Sequence, residues 1–508
     1  MTPRKWTIPI TKPLTDSPHH KNANILLNYM QNYHEEISKG ANSKLPVLSQ
    51  VKPNQIFNSL PKSAPQKPMP FEEILHSFDQ KILPGITHWQ SPNFFAYFCA
   101  NFSYPALMGD MLASMMNVIG FSWICSPACS ELEQKTLDWL AGILDLPQFY
   151  MGNGVIQGTA SESTLVALIA AREKIKKKHE ELITSVGGTS SVSIKSVDAS
   201  KLCVYASDQS HSSVTKACMI LDIPNIRLIK SHPDTFEMDV HHLKRTIRED
   251  LENGLVPTMC VATCGTTSSL AVDNLQEIGP VCEKHCIWLH IDAAFLGSAC
   301  ICPEFRGKYL TGIEYSNSFN FNPHKWLLTN FDCSTMWIRD ADKNDMIDSL
   351  SITPEYLRNK HTDQKEVNDY RDWQVPLGRK MRSLKLYFVM CAYGVEGLQD
   401  YIRSHCKLAS EFCKWIRQDE RFEVWPKPKS SLVCFYLKGH PNEVLKQLMD
   451  RLNASGKLFL THTVLNERMV LRMSINSAFL TQENTLKEAW EIIQQETTQL
   501  LKTTSENK

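Results

Sequence analysis

The chain has 508 residues, 43% of them apolar, and its 54 Lys and Arg balance 54 Asp and Glu for a formal net charge of +0. That length exceeds one simple core and implies about two or three domains, while the charge balance argues against nucleic acid or an anionic membrane as partner. No apolar run reaches the length of a membrane span, and the N-terminal stretch lacks an h-region and a cleavage site, so a cytoplasmic protein is expected.

Residues 1–24 are polar, carry Pro and His, and are expected to form a loose leader. The pattern turns helical over 23–39. The Pro-rich stretch 47–70 reads as extended or turn-like, and a helix restarts at Pro70-Phe-Glu-Glu-Ile-Leu-His-Ser-Phe78 with Pro in its first turn. Thr87-His-Trp-Gln-Ser-Pro-Asn-Phe-Phe-Ala-Tyr-Phe98 is dense in aromatic groups with interleaved polar ones, as suits a pocket wall. From about 130 to 340 helical and strand patterns alternate, with near-continuous apolar strands at 202–206, 258–263, 287–291 and 333–338. Such strands between helices predict a mostly parallel sheet covered on both faces. Residues 185–200, rich in Gly, Ser and Thr, read as a surface loop. A long helix follows Arg379 and carries 384–393; the C-terminal part, with a strand at 432–437, reads as a smaller α/β domain.

The 16 cysteines are scattered through apolar segments, as reduced, buried thiols are. Cys282-Glu-Lys-His-Cys286 has no second ligand pair at zinc-finger spacing, so it reads as free thiols on a helix and no metal site is expected.

Two features carry chemistry. Asn320-Phe-Asn-Pro-His-Lys-Trp326 sets Lys325 between a histidine and an indole, and the upstream apolar run Ile287-Trp-Leu-His-Ile291 ends in Asp292-Ala-Ala294. A lysine in a turn and a carboxylate at the end of a buried strand are what pyridoxal 5′-phosphate (PLP) needs. The lysine forms a Schiff base with the aldehyde, and the aspartate keeps the pyridine nitrogen protonated. Upstream, Gly152-Asn-Gly154 leads to Val155-Ile-Gln-Gly-Thr-Ala-Ser-Glu162 and an apolar helix. Thr159 and Glu162 have capping-box spacing, so Thr159, Ala160 and Ser161 would offer N–H groups and a hydroxyl to an anion, or would merely cap the helix. Thr263-Cys-Gly-Thr-Thr267 adds hydroxyls at the C-terminal edge of a strand, where open parallel sheets bind ligands.

Taken together, these segments resemble the PLP-dependent group II amino acid decarboxylases, above all the aromatic L-amino acid decarboxylases that act on DOPA, tryptophan and tyrosine. The likeness runs from about Ile25 to Glu496. It is carried by His88-Trp89, Phe94-Phe-Ala-Tyr-Phe98, Gly120-Phe-Ser-Trp123, Ser126-Pro-Ala128, Gly154-Val-Ile-Gln-Gly158, Ser207-Asp-Gln209, His211-Ser-Ser213, Asp292-Ala-Ala294 and Asn322-Pro-His-Lys-Trp-Leu-Leu328.

The resemblance implies the aspartate aminotransferase-like fold type I and an obligate homodimer with interface sites. It implies a leader over 1–24, an N-terminal helical dimerisation segment over 25–115, a large PLP-binding domain over 116–395 and a small C-terminal domain over 396–508. Lys325 would hold the cofactor and Asp292 would pair its ring nitrogen. Ala160, Ser161, Thr267 and Asn322 would cradle phosphate and ring, with His211 stacked on one face and the Ala294 methyl under the other. For His211 the alternative is a satisfied core histidine; its place just after strand 202–206 favours the cofactor.

The loop tyrosine, Tyr356 in Thr353-Pro-Glu-Tyr-Leu-Arg-Asn359, is the expected proton donor, borne on a mobile lid that continues through 361–367, with His324 holding it on closure. Trp89, Tyr97, Phe98 and Ala100 of one subunit, with Ile119 and Phe121 of the other, would form an apolar slot for an aromatic ring. Cys99-Ala100 stands where animal relatives have Pro-Thr, in a substrate-facing turn. Gly378 matches a position where relatives carry Gly or Ser, and Gly leaves room for an indole. The expectation is decarboxylation of tryptophan and 5-hydroxytryptophan, with DOPA, tyrosine and phenylalanine as alternatives. An arylacetaldehyde synthase on the same scaffold and a non-catalytic dimeric homologue are the rival readings. Relatives of the first kind carry Phe at the loop position or Asn at the stacking one; this chain keeps Tyr356 and His211.

Overall fold

The computed structural model describes residues 18–185, 198–352, 354–364, 366–480 and 482–506. The chain divides into two compact units, one of residues 1–94, 446–460 and 482–508 and one of 95–445 and 461–481. In the first unit the helix Pro18–Ile37 starts five residues before the expected position, so 18–24 are helical rather than loose; a proline suits a first helical turn. The Pro-rich stretch 47–70 contains one short helix, Gln55–Ser59, and the helix expected from Pro70 runs Phe71–Lys81.

The second unit is built on a seven-stranded sheet: β1 (Gly154–Gln157), β2 (Leu202–Ser207), β3 (Asn225–Ile229), β4 (Val256–Thr263), β5 (Trp288–Asp292), β6 (Ser318–Phe321) and β7 (Ser334–Ile338). Their order is β1-β7-β6-β5-β4-β2-β3. Strands β6, β5, β4, β2 and β3 run parallel, and β7 and β1 pair antiparallel at one end. Strand residues of β2, β4, β5 and β7 are buried throughout, apart from the half-buried Val256 at the start of β4. Sheet residues Val204, Ala206, Val261, Met336 and Ile338 form one core with Val166, Ala167 and Ala170 of the helix Ala160–Ser185. That helix ends where residues 186–197 begin, so most of the expected Ser/Thr loop lies outside the described residues.

A second sheet, β10-β11-β9-β8, is antiparallel: β8 (Phe422–Val424), β9 (Leu432–Leu437), β10 (Thr461–Leu465) and β11 (Arg468–Ser474). The helix expected after Arg379 spans Ser383–Gln418, interrupted at Gly394, where φ is +63°. Against it lies the helix Tyr104–Met116, so close that a Cβ on Gly109 would come within 2.6 Å of the Lys385 Cα. All 16 cysteines are free thiols. Among the described residues, no helix is long and apolar enough to cross a membrane.

Candidate active site

The parallel strands deliver their C-terminal ends to one edge of the sheet. Asp292, the last residue of β5, sits beside Thr263 of β4 and Asn320 of β6. Two residues beyond β6, the turn Pro323–Trp326 opens. It sends Trp326 into the core, fully buried, where its indole N–H donates to His405 Nδ1 at 2.9 Å. The neighbouring Lys325 faces the other way, into a cavity of about 250 Å³.

Three layers of aromatic rings back this cavity. Phe98 stacks on Phe295 with centroids 3.9 Å apart, and Phe295 on Trp326 at 4.8 Å. The Lys325 Nζ lies 5.8 Å from the Phe98 centroid. Burial is the chief cause that pushes the Lys325 pKa below its ordinary value; Asp292 opposes this and the Arg472 guanidinium adds to it. A lysine so placed spends more time as the free amine, the nucleophilic form.

The two histidines of the cavity are neutral by geometry. His211 Nδ1 accepts from the Ser213 N–H at 3.1 Å and faces its hydroxyl at 2.9 Å, so the ring proton sits on Nε2. Burial is the main cause that lowers its pKa, with Asp292 opposing and Lys325 reinforcing. His324 Nδ1 accepts the Cys333 N–H at 3.0 Å. Burial first, then Lys325, push its pKa down to about 3.

The anion end is the start of the helix Ala160–Ser185. Thr159 Oγ1 accepts the Glu162 N–H at 3.3 Å. The Glu162 carboxylate turns back to the Gly158 N–H at 2.9 Å rather than to Thr159. Ala160 and Ser161, whose first-turn N–H groups have no acceptor within the helix, line the cavity. Opposite, Gly265 has φ +97°, and a Cβ there would lie 2.7 Å from Leu296 Cγ, so this wall takes only glycine.

The pyridoxal-dependent decarboxylase conserved domain matches residues 53–438. The chain belongs to the pyridoxal-dependent decarboxylase family. Tyrosine decarboxylase 2 of Narcissus pseudonarcissus is 45% identical over 503 residues, covering 96% of each chain. Phenylacetaldehyde synthase of Arabidopsis thaliana is 44% identical, covering 97% of this chain and 98% of the relative. A crystal structure of Oryza sativa TDC with PLP and tryptamine superposes with a TM-score of 0.89 at 39% identity, covering 96% of this chain and 99% of that one. Within the family these relatives mark the group II, aromatic amino acid branch, and the fold is type I. The protein is a PLP-dependent carboxy-lyase.

The cavity of this decarboxylase fits PLP on its own terms. Two buried polar atoms in its wall, Thr263 Oγ1 and Asn322 Oδ1, have no partner among the described residues, and such atoms call for a ligand. Asp292 Oδ1 is fixed by the Ala294 N–H at 3.0 Å, and no described group hydrogen-bonds to its Oδ2. The cavity brings together Lys325, Asp292, His211, His324 and Asn322 with Thr159, Ala160, Ser161, Thr267 and Ala294.

Of the residues expected around the substrate, Phe98, His211 and His324 line the cavity, and Tyr97, Cys99, Ala100 and Gly378 do not; Ile119 and Phe121, expected to reach the slot from a second subunit, lie outside this chain's own cavity. Cys99 is fully buried, its thiol pushed up to about 12 by burial, and its carbonyl accepts from the Asn476 amide. Ile119 is exposed and meets Gly378, whose Cβ would lie 3.7 Å from Ile119 Cγ2. Trp89 falls in the other unit. Tyr356, in the short turn Glu355–Leu357, is 80% exposed and outside the cavity wall.

Sequence reasoning missed Phe295, Phe331 and Arg472. Phe331 packs edge-on to His324, centroids 4.9 Å apart. Arg472 is buried in β11, its Cζ 5.2 Å from the Phe98 centroid, with no partner for Nε or Nη2 among the described residues. The available signal was a lone cation inside the apolar run Met469-Val-Leu-Arg-Met473.

Proposed function

We propose that the enzyme decarboxylates an aromatic L-amino acid to its arylalkylamine and CO₂, with L-tryptophan and 5-hydroxytryptophan foremost. The observation that carries this reading is the Phe98 ring, which lines the same cavity as Lys325 and stands on an aromatic stack. Such a wall suits a flat apolar side chain, and glycine at position 378, where relatives carry Gly or Ser, supports an indole over a smaller ring.

Bound PLP supplies an electron sink for the pair released from the Cα–carboxylate bond. Lys325, held partly as free amine, would tether the cofactor and take it back after each turnover. Asp292 would keep the ring nitrogen protonated, and His211 would cover the ring with its Nε2–H outward. Thr159, the first-turn N–H groups of Ala160 and Ser161, Thr267 and Asn322 would hold the phosphate and ring. The poorly solvated cavity favours loss of a charged carboxylate as neutral CO₂. Tyr356 would then deliver a proton to Cα, with the 353–367 lid closed and His324 steadying it.

A homodimer completes the proposal. The helix Tyr104–Met116 exposes Met108, Met111, Leu112, Met115 and Met116, and Ile119 and Ile124 follow. This is an apolar patch of the kind a second copy covers. The 16 free thiols suit the reducing cytoplasm.

The second reading, an arylacetaldehyde synthase that consumes O₂ and releases ammonia and peroxide, draws support from the 44% identical phenylacetaldehyde synthase. Intact Tyr356 and His211 favour the amine. One assay separates the readings: amine and peroxide measured with purified protein on Trp, 5-hydroxytryptophan, DOPA, Tyr and Phe. Amine without peroxide, highest on the indoles, is expected; peroxide equimolar with CO₂ would overturn the proposal.

A further inference from the structure

The carbonyls of the turn that carries Gly378 are gathered by the Gln374 side chain. The Gln374 amide donates to the Pro376 carbonyl at 2.5 Å and approaches those of Leu377 and Gly378 at 3.4 and 3.3 Å. Its own oxygen accepts from Arg379 Nη1 at 2.9 Å. Arg379 is in turn anchored in the core. Its Nη2 bonds the fully buried Glu133 carboxylate and the Ile156 carbonyl, the latter at 3.2 Å. Glu133 also accepts the Ile156 N–H at 2.8 Å, which ties the pair to β1.

The opposite side of the gap hangs on the same arginine. The Gly120 N–H donates to the Arg379 carbonyl at 3.1 Å, next to Ile119. Both walls of the Ile119–Gly378 contact therefore refer back to one buried ion pair, and Gln374 is the only link from that pair's side chains to the 376–378 carbonyls among the described residues. A buried network of this kind has two consequences. It holds its members to a narrow range of positions, and a lost donor leaves several carbonyls unpaired.

We propose that Gln374 is a positioning residue for substrate selection: its amide fixes the 376–378 turn and so sets the width of the gap between Gly378 and Ile119. This rests on the reading that these two residues touch the substrate ring. Gln374 itself is not among the residues that line the Lys325 cavity.

The test uses the holoenzyme and three variants. Gln374→Glu keeps the acceptor for Arg379 and removes the donor. Gln374→Met removes both at nearly constant volume. Gly378→Ser alters the gap directly. The readouts are the dissociation constants of L-tryptophan and L-phenylalanine methyl esters, kcat and KM for the free amino acids, and the near-visible absorption of bound PLP. Both Gln374 variants should shift the tryptophan-to-phenylalanine ratio of dissociation constants about fivefold or more, the scale of pocket-shape discrimination. Their KM should move with it, while kcat and the cofactor absorption hold. If Gly378→Ser shifts the ratio and Gln374→Glu does not, the positioning role is overturned alone. If Gly378→Ser leaves the ratio unmoved, the reading of the gap fails and the proposal fails with it.

Discussion

Lys325 and Arg472 both stand over the Phe98 ring: the lysine Nζ lies 5.8 Å and the guanidinium carbon 5.2 Å from its centroid. Two buried cations beside one ring repel each other. The guanidinium is the group that stays charged, so the lysine yields its proton more readily.

Arg472→Met therefore lifts the Lys325 pKa back toward its ordinary 10.5. The amine must be unprotonated to attack an aldehyde, so at a given pH the reactive fraction falls. Reconstitution of the apoenzyme with PLP should slow, and the midpoint of its pH dependence should move to higher pH. A midpoint that stays in place would show that Arg472 does not act on Lys325.

His290, His324 and His405 are buried and held by burial far below the ordinary histidine value of 6.5, at about 4, about 3 and about 4. Their folded-state pKa values are depressed, so the unfolded chain takes up protons below pH 6.5 that the folded chain refuses. Stability is full above 6.5 and falls as pH drops towards 4, by about 1.4 kcal/mol per pH unit for each such histidine. Urea midpoints at pH 7 and pH 5 check this, and replacing His405 by Gln should flatten the slope. Equal midpoints at the two pH values would count against buried neutral histidines.

How much of this was legible in the sequence depends on what each residue faces. Strands β2, β4, β5 and β7 are buried on both sides and read as apolar runs. The β6 strand, Ser318-Phe-Asn-Phe321, is equally buried but alternates polar and aromatic residues. Ser318 is tolerated there because its hydroxyl accepts the Trp288 indole N–H at 2.8 Å and meets His290 Nδ1 at 2.7 Å. Those partners lie 30 and 28 residues away, and no local pattern reveals them. The edge strand β3 hides its pattern behind Arg227, which pairs with Asp250 at 2.7 Å. Lys325, Asp292 and the Thr159–Ser161 helix start were readable because strand ends and capping spacings are local signals. Arg472 was not, because only tertiary packing shows that its guanidinium covers Phe98 instead of reaching solvent.

Tyr356→Phe isolates the proton donor. The side chain is 80% exposed, so the substitution should leave thermal stability and cofactor absorption as they are. Product should move from amine toward aldehyde, with peroxide rising in step. Unaltered amine formation at the original rate would remove Tyr356 from its assigned role.

The account stands on Lys325 as the point of covalent attachment. Holoenzyme reduced with borohydride, digested and mapped by mass spectrometry tests it directly. The account predicts one pyridoxyl-labelled peptide, with the added mass on Lys325. A label on another lysine, or reduced protein with Lys325 unmodified, would contradict it.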